Sequence, residues 1–318
     1  MKRVFAWLTA VDACWWYRIK TPLEALSATG RWEVSWGSPP PDIHEYDVVI
    51  GQRLAGHQPD WLRLCADPNV LCVYDMDDDL LHLDPENTIP YSIYAPQVPG
   101  TREAVEAADV VTVCTPYVHG LMSEINVNVH NLPICTTNAM IDLPLRTTPD
   151  RLTVGWAGSP FHHQDWGGLP DALRRYAAAV PRATFHMMGA NYTNGIPRLR
   201  VSGSRPIEQY ISSIDFDIGL APLLRSPSNR GKSHTKPLEY GTRGTPVVAT
   251  AWGQYTDWVD HGVNGFLLEE GEDWVPYLMA LSDDSLRAEM STAARETARG
   301  FAIENHIHLW ERAYGGSE

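Results

Sequence analysis

Three charged side chains in the stretch "KSHTKPLEYGTRGTPVV" have a spacing that chemistry can use. Lys236 lies four residues after Lys232, and Glu239 three after that, so on a helix all three share one face. Ser233 reads as the N-cap, and Pro237 falls near the first turn, where a missing amide costs least. Two lysines at a helix N-terminus are unfavourable by ~0.3–1 kcal/mol each at a surface. An anion held there reverses the sign. The preceding loop, "PLLRSPSNRG", adds the cations Arg225 and Arg230, and a diphosphate is a natural occupant of such a set. Glu239 cannot bind phosphate, but it can accept hydrogen bonds from sugar or ribose hydroxyls one turn further on. The competing account is a solvated charged face with one Lys–Glu pair. The apolar run "GTPVV" favours the first, because it makes the next strand buried and the helix packed.

A second loop, "VGWAGSPFHHQDW", follows one strand-like run and precedes a helix-like one. Gly155, Gly158 and Ser159 let backbone come close to a ligand, and amides at a helix start attract phosphate. His162 is placed to touch the same ligand. A tight turn with a capping serine accounts for the loop equally well. The run Asp77–Asp78–Asp79 is open to three accounts: a divalent-cation site, contacts to acceptor hydroxyls or a base on the acceptor side, or a solvated capping cluster. Carboxylate spacing alone specifies a metal poorly, so an acceptor or structural role is preferred and no metal is expected. Arg18 and His119 each follow a strand-to-helix turn and complete the acceptor-side candidates.

These loops need elements to hold them. Val4–Leu8, Trp32–Trp36, Val48–Ile50, Val70–Tyr74 and Val110–Cys114 read as strands. Trp15–Ala28, Gln58–Ala66, Thr101–Ala108 and Tyr117–Glu124 read as helices between them. Residues 74–100, with four prolines and several acids, read as a long loop. The alternation restarts after "DLPLRTTPD". Strands are expected at Leu152–Trp156, Ala183–Met188, Phe216–Ala221, Pro246–Thr250 and Gly265–Leu268. Helices are expected at Asp165–Val180, Pro206–Ser213 and Ser233–Thr242, with three more from Trp274 onward. Strand–helix alternation predicts parallel sheets with crossover helices. The expected class is α/β: two βαβ domains, 1–148 and 149–302, facing each other across a cleft. Ligands in such sheets sit at the carboxyl ends of strands, which singles out the loops quoted above.

Composition narrows the rest. At 318 residues the chain suits two domains. A net charge of −14 argues against a nucleic-acid backbone as partner unless a local basic groove exists. Five cysteines without CxxC spacing fit reduced thiols and a cytoplasmic location. Val4–Thr9 reads as a first buried strand and not as a secretion leader, since Asp12 interrupts the run. No stretch of 18 apolar residues exists, so no integral membrane segment is expected. Most of the twelve tryptophans are expected in cores.

"HTKPLEYGTRGTPVVAT" followed by "YTDWVDHGVNGFLLEE" resembles the donor-binding half of GT-B glycosyltransferases, in particular the retaining family 4 kind. "GWAGSPFHHQD" is similar to a glycine-serine-x-x-histidine loop of the same proteins. "ACWWYRIKTPLEAL" and "VYDMDDDLLHLDPENTIP" resemble segments of their acceptor domain. The resemblance implies two Rossmann-like βαβ domains, a nucleotide-sugar donor, UDP- or GDP-linked, in the second, and a last helix, 303–318, that returns to the first. By position, Lys236 would grip the diphosphate and Glu239 the donor hydroxyls, with Gly158 and Ser159 beside the phosphates. Lys232, Ser233 and His162 would belong to the same donor site, and Arg225 or Lys232 would share the charge on the leaving group. It implies hexosyl or pentosyl transfer to a hydroxyl of a glycan, protein, lipid or modified nucleobase, with no cofactor required. In the retaining relatives the leaving phosphate itself takes the acceptor's proton. Many relatives carry two glutamates eight apart, and here the earlier position is Gly231. That contact to the donor sugar is missing or supplied elsewhere, which leaves donor and stereochemistry open. The same architecture also suits a nucleotide-sugar epimerase or hydrolase, or a non-catalytic nucleotide-sugar-binding module. Dependence of turnover on an acceptor separates these.

Overall fold

A computed structural model describes residues 1–38, 45–54, 57–145 and 151–315. The expected domain boundary at 148/149 lies outside the described residues, as do the last three residues of the 303–318 segment. The chain divides into two compact units. Unit 1 is Met1–Cys135, Gly231–Ser233 and Ile303–Glu318, and unit 2 is Thr136–Arg230 and His234–Ala302.

Unit 1 is built on a six-stranded sheet in the order β2-β1-β3-β4-β5-β6. Its strands are β1 (Lys2–Trp7), β2 (Trp32–Gly37), β3 (Val48–Gln52), β4 (Leu71–Met76), β5 (Val110–Val113) and β6 (Val129–Asn131). All pairings are parallel, so both faces need cover. Side-chain alternation along β1 sorts the two cores. Val4 and Ala6 join Leu23, Leu26, Trp310 and Tyr314 on one face. Phe5 and Trp7 join Trp61, Val105 and Met122 on the other. The helix Ile303–Ala313 thus packs within unit 1, against the helix Thr21–Ala28.

Unit 2 carries a second six-stranded sheet in the order β12-β11-β10-β7-β8-β9. Its strands are β7 (Leu152–Gly158), β8 (Ala183–Gly189), β9 (Leu199–Ser202), β10 (Ile218–Ala221), β11 (Val247–Thr250) and β12 (Gly265–Leu268), all parallel. Trp156, Leu173, Tyr176, Phe185 and Met187 are central to its core. Close approach shapes the sheet at Gly155: an added Cβ would lie 2.0 Å from the Phe216 ring. Gly155 is therefore a packing glycine, which corrects its assignment to a ligand-facing turn.

Several elements differ from expectation. The stretch 74–100 is not one loop, because helices Thr88–Tyr94 and Val98–Ala107 occupy much of it, joined by a 3-10 turn. Pro90, Pro96 and Pro99 sit in first turns, where no intrahelical amide is needed. The helix expected over Trp15–Ala28 is interrupted by a wider π turn at Trp16–Lys20, just ahead of Pro22. The helix expected from Asp165 begins at Leu169, after a 3-10 segment Pro160–Trp166 and Gly167 at φ 39°. Strands β6 and β9 were not anticipated. Both are short edge strands with polar residues.

Candidate functional site

In unit 2 the loop after β7 and the helix Thr235–Thr242 converge. Tyr240 anchors that helix: its hydroxyl accepts from the Ala157 amide at 3.1 Å and donates to the Leu220 carbonyl at 3.1 Å. Lys236, one turn earlier, is 9% exposed. Its Nζ lies 3.0 Å from His162 Nε2 and 5.5 Å from the Trp156 ring centroid. His162 Nδ1 is 2.6 Å from Asp165 Oδ2. With Nδ1–H donating to that carboxylate, Nε2 presents its lone pair to the ammonium. The other oxygen, Asp165 Oδ1, accepts from the Leu224 amide at 2.9 Å and from Asn229 Nδ2 at 2.8 Å. A chain of bonds therefore runs from Lys236 to the loop before residue 231.

Gly158, the last residue of β7, makes room for this arrangement. A Cβ there would meet the Trp156 ring at 2.6 Å and Lys236 Nζ at 3.1 Å. Ser159 follows in extended conformation, and its carbonyl accepts from Tyr192 at 3.4 Å. Glu239, 4% exposed and one turn along the helix from Lys236, accepts from the Tyr210 hydroxyl at 2.9 Å. The structure thus brings Lys236, His162 and Gly158 together and seats Glu239 on the same helix. A cation, an oriented imidazole and a buried carboxylate at the carboxyl end of β7 form a set that can hold an anionic, hydroxyl-bearing ligand.

Other candidates are engaged elsewhere. The helix begins at Thr235 with His234, not Ser233, in the N-cap position, and no side chain caps it. His234 Nδ1 lies 3.0 Å from Gln254 Oε1 and its ring packs on Phe301. Lys232 precedes the helix, so it does not share a helical face with Lys236. It belongs to unit 1, where its Nζ is 2.6 Å from Asp78 Oδ2. Burial works against its charge, but Asp78 outweighs it and raises the lysine pKa. Arg225 is paired with Glu269 and donates to the Ala251 carbonyl at 3.0 Å, with its guanidinium over the Trp252 ring. An anion at Arg225 would compete with that carboxylate.

In unit 1, Arg18 is fully buried and grips Asp75, with a further bond to the Leu132 carbonyl. Asp75 also accepts from Gln52 at 2.9 Å and Thr112 at 2.7 Å. Arg18, expected on the acceptor side, is held with its charge inside the core of unit 1. The three aspartates that follow β4 have separate partners. Asp77 pairs with Arg53 at 2.7 Å, Asp78 with Lys232, and Asp79 accepts from the amides of Leu81 and His82. Asp79 is a local cap. Among the described residues, no group of three or more His, Cys, Asp or Glu side chains is arranged to hold a metal ion. His119 is half-buried, with Nε2 3.2 Å from the Val129 carbonyl. A Cβ at Gly231 would lie 3.1 Å from Val118 and 3.4 Å from Asp79 within unit 1, so a longer side chain there needs rearrangement.

Sequence reasoning passed over Trp156, Asp165, Tyr210 and Asn229. Asp165 carried a usable signal, since it stands three residues after His162 in a loop already singled out. The other three come from separate segments, and only the fold brings them in.

Comparison with known proteins agrees with this architecture. Residues 151–284 match the family model described as glycosyl transferases group 1. No curated protein matches the sequence significantly. Sucrose-phosphate synthase from Thermosynechococcus elongatus superposes with a TM-score of 0.73 at 15% identity, over 99% of this chain and 98% of that one. HepE from Anabaena, solved in complex with UDP-glucose, gives a TM-score of 0.66 at 16% identity, over 98% and 100%. A glycosyltransferase from Rickettsia africae gives 0.68 at 12% identity, over 98% and 97%. The chain has the α/β fold of GT-B glycosyltransferases.

Proposed function

We propose that this chain is a glycosyltransferase that moves a hexose or pentose from a nucleoside-diphosphate sugar to a hydroxyl acceptor, with retention. The observation that carries the proposal is the Lys236 ammonium, held 3.0 Å from His162 Nε2 beside Gly158. It lies in the segment that matches the glycosyl transferases group 1 model. Unit 2 is then the donor-binding domain and unit 1 the acceptor-side domain. A UDP-sugar is the donor of choice, in keeping with the UDP-glucose bound by HepE.

Glycosyl transfer passes through an oxocarbenium-like state while the diphosphate departs. Fixed positive charge at the leaving phosphates is the largest single help a protein can give. Lys236 supplies it. His162, with Nδ1–H committed to Asp165, holds the ammonium in place from one side and Trp156 from another. Glu239 accepts hydrogen bonds from donor hydroxyls, with Tyr210 fixing one carboxylate oxygen. The departing phosphate oxygen takes the acceptor's proton, so no protein nucleophile is called for. Lys232 and Asp78 lie on the acceptor side as a pair. Residues His119 and Asp79 remain acceptor-side candidates with local partners. The reaction as proposed needs no cofactor. The five cysteines, all unpaired, support a reducing compartment, the cytoplasm. Among the described residues no helix is long and apolar enough to cross a membrane.

Thermal melting against UDP-, GDP-, ADP- and dTDP-sugars tests the proposal. A ligand at a hundredfold excess over its Kd stabilises by about 2.7 kcal/mol, so at least one donor should raise the melting temperature. Release of nucleoside diphosphate only when an acceptor is added identifies a transferase. Full turnover of donor alone identifies an epimerase or hydrolase, and binding without turnover a non-catalytic module. Failure of every donor to shift the melting temperature removes the assignment.

A further inference from the structure

Strands β8 and β9 pair in parallel with His186 opposite Arg200 and Met188 opposite Ser202. Alternation puts His186, Arg200 and Ser202 on one face. Ser202 Oγ lies 2.9 Å from His186 Nε2, and His186 Nδ1 lies 2.7 Å from Asp215 Oδ1. These are the distances of a nucleophile to its base and of a base to the carboxylate that orients it.

Arg200 donates to the second carboxylate oxygen, Asp215 Oδ2, and its Nη2 also lies 2.8 Å from His186 Nδ1. Burial works against the charge on Asp215, but its bonds to His186 and Arg200 hold the carboxyl below the usual range. Asp215 Oδ1 at 2.7 Å calls for a hydrogen on Nδ1 and Arg200 Nη2 at 2.8 Å calls for a lone pair there; we take the first arrangement, with Arg200 serving Oδ2. Nε2 is left with its lone pair facing the Ser202 hydroxyl, the tautomer a general base needs. The imidazole is 3% exposed and is held edge-on by Phe216, with ring centroids 5.5 Å apart.

Ser202 is half-buried, and Gly203 and Ser204 beyond it are exposed. A Cβ on Gly203 would meet nothing within 4 Å, so space is open on that side. The neighbouring Val201 side chain is also exposed. An open edge of this kind suits a short acyl group, since a long one needs an enclosed apolar slot.

We propose that Ser202, His186 and Asp215 form a second catalytic centre in unit 2, a serine acyl-transfer site acting on short-chain carboxylate esters. His186 Nε2 removes the hydroxyl proton as Ser202 Oγ bonds to the ester carbonyl carbon. The tetrahedral intermediate collapses, the bond to the alcohol oxygen breaks, and the leaving alkoxide takes the proton back from Nε2. Water then repeats the sequence on the acyl-serine, releasing the carboxylic acid and restoring Ser202. The amides of Gly203 and Ser204 are the donors assigned to the intermediate's oxyanion in this proposal.

The test uses the full chain and diisopropyl fluorophosphate, with peptide mapping by mass spectrometry, beside hydrolysis of p-nitrophenyl acetate. The folded protein should gain one diisopropylphosphoryl group on Ser202, and Ser202→Ala should lose both the label and the hydrolysis at an unchanged melting temperature. His186→Gln should slow labelling roughly 10²-fold or more. Should that variant fail to fold, Ser202→Ala, a small change at a half-buried position, still decides the matter. An unlabelled Ser202 in the folded protein, or hydrolysis undiminished in Ser202→Ala, overturns the proposal and leaves the three residues as a hydrogen-bonded strut on the sheet edge.

Discussion

Lys236 Nζ lies 3.0 Å from His162 Nε2, and the two side chains arrive from elements 74 residues apart in sequence. One nitrogen donates and the other accepts, so the ammonium is aimed without being neutralised. A carboxylate in the place of His162 would cancel the charge that a diphosphate needs.

Lys236→Ala should abolish the rise in melting temperature caused by a UDP-sugar and should lower kcat by roughly 10²–10³, the usual cost of one removed donor to developing charge. Thermal melting and steady-state assay of the variant measure both. An unaltered melting shift in the variant would falsify the donor site.

Gly158→Ala pushes a methyl group into the Trp156 ring and against Lys236 Nζ, at 2.6 and 3.1 Å. The buried Trp156 ring takes the harder clash and the lysine terminus the softer one. Folding stability and donor affinity should therefore both fall. Urea unfolding and isothermal titration of the folded variant measure the two losses.

Gly155→Ala is expected to act on stability instead. Its new methyl would stand 2.0 Å from Phe216, deep in the sheet. Overpacking of this sort costs about 1–3 kcal/mol, at times more. Urea midpoints of the variant and parent report it, and an unchanged midpoint would show that Phe216 moves freely.

Arg18→Ala leaves Asp75 buried without its cation. Removing one partner of a buried pair costs about 3–5 kcal/mol. The double variant Arg18→Met, Asp75→Asn should recover part of that loss. If Arg18→Ala instead unfolds like the parent and raises only the acceptor's KM, Arg18 touches the acceptor after all.

Arg182 and Arg287 hold the Asp284 carboxyl down at about 2. A carboxylate depressed in the folded state contributes stability above its unfolded pKa of ~3.9, and that contribution is lost as pH falls through the folded value. The melting difference between parent and Asp284→Asn should therefore be largest near neutrality and shrink as pH drops from about 4 towards 2. A difference that grows on acidification would contradict the pairing.

Most strands were legible because strands buried on both faces are apolar runs, as Val48–Ile50 and Val247–Thr250 are. The short edge strands β6 and β9 escaped because "VHN" and "LRVS" carry exposed polar residues and no such run. The proline-rich stretch 74–100 misled for a physical reason: three of its four prolines, Pro90, Pro96 and Pro99, occupy first turns, where proline starts a helix as readily as it ends one. Lys232 and Lys236 looked like a helical pair because four-residue spacing was assumed to lie inside the helix. The helix begins between them, and Asp78 claims the first lysine. Arg18 could be placed after a strand by its neighbours, but its partner Asp75 is fixed by the pairing of β3, β4 and β5. No local pattern announces that pairing.

Unit 1 is assembled from three separated lengths of chain, and the last of them begins at Ile303. During synthesis its sheet emerges first, but Leu23 and Leu26 have no Trp310 or Tyr314 to bury them until the whole of unit 2 has been made. At ~5–20 residues per second that delay is roughly ten to thirty seconds. For that interval the nascent sheet presents a greasy flank to the cell, a ready handle for a chaperone, while the later-made lobe has every strand it needs to close first.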